Sequence, residues 1–77
     1  MTKTDIIQIA ETALENIKKD SCLICELEYA EYPLDLPDSR VGQAIMVIKR
    51  GKVHEIKFEY RHKRGFWHSI RVEEKTI

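Results

Sequence analysis

The chain has 77 residues, 43% hydrophobic and 34% charged, with thirteen basic and thirteen acidic side chains and so no formal net charge. That composition excludes a wholly disordered polymer, and the length leaves material for one domain with one core and little room for a deep pocket. No apolar run approaches the roughly 18 residues that span a bilayer, and the polar N-terminus lacks the pattern of an export signal. The expectation is a cytoplasmic protein with no membrane and no small-molecule substrate, its two cysteines reduced.

The first element is a helix over residues 1–19. Ile6, Ile9, Ala10, Ala13, Leu14 and Ile17 recur at three- and four-residue spacing, while Gln8, Glu11, Thr12, Glu15 and Lys19 fall on the other side. Thr2 or Thr4 is placed to cap the free amides, and Asp5 at the start and Lys18 and Lys19 at the end suit the helix dipole.

Alternation through Cys22, Leu23, Ile24, Cys25, Glu26, Leu27, Glu28 and Tyr29 predicts a strand over 22–30 with a largely acidic face. Both prolines and two aspartates between 31 and 40 then predict a surface loop. From Val41 onward the pattern predicts three antiparallel strands, 42–49, 52–61 and 66–73. Two Lys-Arg-Gly turns, read as three-residue loops with a left-handed glycine, join them. That reading opposes Val47 to Val53, Ala44 to Ile56 and Phe58 to Ile70. It gives one face, with Met46, Ile48, Ile56, Phe58, Tyr60, Phe66, Ile70 and Val72, for the helix to cover. Residues 39–49 also carry Val41, Ala44, Ile45 and Ile48 at helical spacing, so a second helix there is the competing reading. The fold class is α+β, an α-β-β-β-β meander with the helix packed on a three- to four-stranded antiparallel sheet.

Little in the sequence points to catalysis, a metal or a cofactor. Cys22 and Cys25 have the spacing of a metal knuckle, but residues three apart on a strand leave opposite faces and no second pair is present. His54, His62 and His68 have no evident partner, and Gly42, Gly51 and Gly65 are isolated rather than part of a phosphate-binding loop. The expectation is therefore a non-catalytic binding module.

Charge is unevenly divided. Residues 1–39 carry three basic against nine acidic side chains, and the remainder ten against four. Three candidate surfaces follow. Ile24, Ile45, Val47, Val53 and Trp67 gather on the sheet face away from the helix and suggest docking to a protein partner or self-association, as an inhibitor, adaptor or homodimer. Glu26, Glu28, Glu31, Asp35 and Asp38 form an acidic surface on the first strand and the proline loop. Lys49, Arg50, Lys52, Arg61, Lys63, Arg64 and Arg71, interleaved with aromatics, offer nucleic-acid binding as the alternative. The protein partner ranks ahead of nucleic acid on this reading.

Overall fold

A computed structural model describes residues 2–20 and 26–72, which form one helix, α1 (Lys3–Asp20), and four strands, β1 (Ala30–Pro33), β2 (Val41–Lys49), β3 (Lys52–Tyr60) and β4 (Trp67–Arg71). The strands make one antiparallel sheet in the order β1-β2-β3-β4, so the α+β meander read from the sequence is the fold. Residues 39–49 hold no second helix; β2 occupies 41–49 and a turn precedes it.

The start of α1 is closed by a reciprocal cap. Asp5 donates its amide to Thr2 Oγ1 at 3.2 Å while Thr2 donates its own to Asp5 Oδ2 at 3.2 Å, which satisfies donors the helix cannot. Ile6, Ala10 and Leu14 are buried, and α1 packs chiefly over β3. Beneath it lie Met46, Ile48, Ile56 and Phe58, with Met46 and Ile56 wholly buried and paired in register. Burying such side chains stabilises the fold by about 1.5–3 kcal/mol each.

The first strand lies later than the alternation predicts. Residues 26–29 form no ladder, and pairing starts at Ala30 opposite Ile48 and runs through Tyr32 opposite Met46. Residues 22–25 of the expected strand lie outside the described residues. The physical reason is the outer edge of β1. Leu34 donates its amide inward to the Ala44 carbonyl at 2.9 Å, so by alternation the nitrogen of Pro33 points outward, where a missing donor removes nothing from the sheet. Proline is thus compatible with this strand, and Leu34, assigned to the loop by sequence, is a core residue.

The first hairpin is tighter than a three-residue loop. Lys49 opposes Lys52, and both central residues are left-handed, Arg50 at φ 52° and Gly51 at φ 76°, as a two-residue type I′ turn requires. One extra residue in β3 between Val53 and Glu55 then forms a bulge, which carries Val53 to the helix face opposite Ile48, and regular pairing resumes at Val47 opposite Glu55. The second connection is longer than expected. Glu59 opposes Trp67, so Phe58 faces His68 rather than Ile70, and residues 61–66 form a loop of two successive turns closed by Lys63 N to Tyr60 O and Phe66 N to Lys63 O.

A candidate aromatic and basic site at one end of the sheet

Register places the candidate residues. On the face away from α1 the rows are Glu31, Val47, Glu55 and Arg71, then Pro33, Ile45, Lys57 and Ser69, then Gln43, Glu59 and Trp67. The expected apolar docking patch does not assemble there. Val53 belongs to the core at 7% exposure because of the bulge, and Val47 is only 2% exposed. Ile45 is half-buried and Trp67 is exposed, each in a row with charged or polar residues, and Ile24 lies outside the described residues. Ser69 Oγ donates to Glu55, which holds that carboxyl below its ordinary range, with Lys57 and Arg71 adding to the effect.

The acidic residues are dispersed as well. Glu26, Glu28, Glu31 and Asp35 are exposed and Asp38 is half-buried. Glu28 borders the β2–β3 turn together with Lys49, Arg50 and Lys52, whereas Asp35 and Asp38 line a hollow at the opposite end beside Arg61. The basic residues divide in the same way. Lys49, Arg50 and Lys52 sit at one end of β3 and Arg61, Lys63 and Arg64 at the other, about 27 Å away along a nine-residue strand. Arg71, opposite Glu55, belongs nearer the first group.

The end that carries Arg61, Lys63 and Arg64 has a further feature, which sequence reading missed. Phe58 and His68 stack with centroids 5.1 Å apart, Tyr60 and His62 stack at 5.6 Å, and Tyr60 meets His68 edge to face at 5.2 Å. The Arg40 guanidinium lies 5.9 Å from the centre of the Tyr60 ring. Arg40, Tyr60, His62, Lys63, Phe66 and His68 line an open hollow of about 550 Å³. Phe66, expected beneath the helix, is instead 71% exposed, because the longer loop lifts it off the sheet before β4 begins.

Two local devices hold this end in shape. Asp38 accepts from Arg40 Nε at 3.1 Å and from Nη2 at 3.0 Å, a paired geometry that holds the Asp38 carboxyl down to about 2. Arg61 donates from Nε to the Val41 carbonyl at 3.3 Å and lies over Gly42, where a Cβ would meet Arg61 Cγ at 3.3 Å. Lys63 faces the aromatic hollow, while Arg61 and Arg64 flank Glu59 on the other side of the loop. The signal for the cluster lay in Tyr60, His62 and His68, but their approach depends on the true register. No family model, curated protein or solved structure matches the chain.

Proposed function

We propose that this protein is a non-catalytic binding module whose ligand is single-stranded nucleic acid, held at the β3–β4 end of the sheet. The observation that carries the reading is one shelf of rings, Tyr60, His62, Phe66 and His68, bordered by a loop with Arg61, Lys63 and Arg64. The exposed rings of His62, Phe66 and His68 match unpaired bases, whose own faces are open, and the cations match phosphates. A duplex hides its base faces in its own stack, so single strands are the preferred ligand. Arg40 is already matched by Asp38, so the three cations for phosphate contact are Lys63 at the hollow and Arg61 and Arg64 across the loop beside Glu59. Docking of a protein to the opposite face, the leading expectation from sequence, loses its support with the burial of Val47 and Val53.

Fluorescence anisotropy of labelled DNA and RNA single strands and the matched duplex tests this. Single strands should bind in preference to the duplex, and with three phosphate contacts affinity should fall roughly 20-fold on raising monovalent salt from about 50 to about 200 mM. Absence of single-strand binding at low salt and near-millimolar protein overturns the reading and returns protein docking to first place.

A further inference from the structure

The two outer strands of the sheet differ in how their free edges are finished. At β1 the edge is four residues long and Pro33 turns its donorless nitrogen outward. At β4 the edge has no proline and no bulge against β3, its one charged side chain is Arg71 at the end of the strand, and every residue of the strand except Ile70 is exposed. Natural sheets seldom leave such an edge unguarded unless something pairs with it.

The direction of each backbone group on β4 follows from one bond. Val72 donates its amide inward to the His54 carbonyl at 3.0 Å, so alternation points the groups of Ile70 and His68 inward too. Trp67, Ser69 and Arg71 therefore turn their N–H and C=O groups outward. Among the described residues no strand lies beyond them.

We propose that β4 pairs antiparallel with β4 of a second copy of this chain, about a two-fold axis at Ser69. This register uses all three outward residues on each strand and forms six hydrogen bonds, two between the serines and two for each Trp67 opposite Arg71 of the second copy. Trp67 and Arg71 share a face with Ser69, so each guanidinium meets an indole of the other chain, a cation–π pair. On the helix side His68 lies diagonal to the Ser69 pair and opposite Ile70 of the second copy. Neighbouring registers are worse. An axis at Arg71 opposes two like charges, and an axis at His68 or Ile70 pairs only two of the three outward residues of each strand, Trp67 with Ser69 or Ser69 with Arg71, for four hydrogen bonds in place of six. The product is one continuous eight-stranded sheet whose two aromatic shelves lie at opposite ends of the joint. It stands independently of the nucleic-acid reading, since no shelf residue makes the backbone pairing.

Sedimentation equilibrium without nucleic acid, from low micromolar to near-millimolar protein, tests the proposal. Wild type should be a dimer that dissociates on dilution. Ser69→Pro, which deletes an outward donor and leaves the β3 ladder its bonds, should weaken association by roughly 30-fold or more with unchanged circular dichroism. Ser69→Ala should dimerise like wild type. In a mixed labelled and unlabelled sample, an interchain contact should appear between the Hα protons of His68 and Ile70, a signature of this register that holds even if the proline variant unfolds. A monomer at near-millimolar concentration, an undiminished dimer of folded Ser69→Pro, or interchain contacts elsewhere overturns it.

Discussion

Gly65 donates its backbone amide to Glu59 Oε2 at 2.9 Å, tying the loop that carries Lys63, Arg64 and Phe66 back to the last turn of pairing between β3 and β4. Glu59 is 9% exposed and faces Trp67 across the ladder, so its carboxylate is buried by the loop that it holds. A charged acceptor in that position is worth about 1.5–3 kcal/mol.

Glu59→Ala should therefore lower the melting temperature by roughly 6–20 °C for a domain of this size. The same change should loosen residues 61–66 and make their amides exchange faster, while amides at Met46 and Ile56 keep their relative protection. Hydrogen exchange followed by mass spectrometry checks the locality. A uniform loss across the sheet would mean that Glu59 supports the core rather than the loop.

The β2–β3 turn gives a second prediction of opposite sign at two adjacent positions. Gly51 at φ 76° is in a conformation that side chains with a Cβ adopt at a penalty, and Arg50 at φ 52° already bears such a penalty. Arg50→Asn should stabilise the domain by about 0.5 kcal/mol, because asparagine tolerates the left-handed region and Asn-Gly is the preferred type I′ pair. Gly51→Ala should destabilise it by about 1 kcal/mol or more. Urea titrations with equal slopes for all three proteins would separate these effects from a change in compactness.

The turn also explains where the sequence was legible and where it was not. The helix was readable because Ile6, Ala10 and Leu14 repeat with its period, and parity alone put Met46, Ile48, Ile56 and Phe58 on its side of the sheet. Parity survives a two-residue slip, so the face came out correctly for these residues despite the wrong partners. Val53 broke the rule because Arg50 itself adopts the left-handed conformation, which shortens the turn and leaves one residue over for a bulge. Nothing in Lys-Arg-Gly distinguishes a two-residue from a three-residue loop when either can place glycine last. The aromatic shelf was hidden for a related reason: its loop is set by Glu59 reaching Gly65, a contact six residues apart that no periodicity announces.

Acid stability should report on Asp38. Its carboxyl is held down to about 2 in the folded protein against an ordinary 3.8, through the hydrogen bonds from Arg40. A folded-state value below the unfolded one means that the unfolded chain takes up protons first. The contribution is present in full above about pH 4 and is lost as pH falls toward 2. Glu55, lowered by the Ser69 hydroxyl, acts in the same direction. The melting temperature should thus climb between pH 2 and pH 4, and Asp38→Asn should flatten part of that climb while leaving the slope between pH 6 and pH 8 alone, as thermal melts in matched buffers would show.

The last prediction separates the rings from the charges at the proposed binding site. Stacking of a base on Phe66 does not release counterions, whereas contact of Lys63 or Arg64 with a phosphate does. Phe66→Ala should weaken single-strand binding by about 5- to 150-fold, the range for one lost stack, and leave the slope of log affinity against log salt as it was. Lys63→Gln and Arg64→Gln should each make that slope shallower by about 0.7, with a smaller loss of affinity at high salt than at low. Anisotropy titrations of the three variants over a salt series give both numbers from one data set. If Phe66→Ala changes the slope, or if neither glutamine variant does, then rings and cations do not divide the work between bases and phosphates. The exposed loop would then be a contact for a folded partner, whose recognition depends on shape and on Phe66 buried as an anchor rather than on released salt.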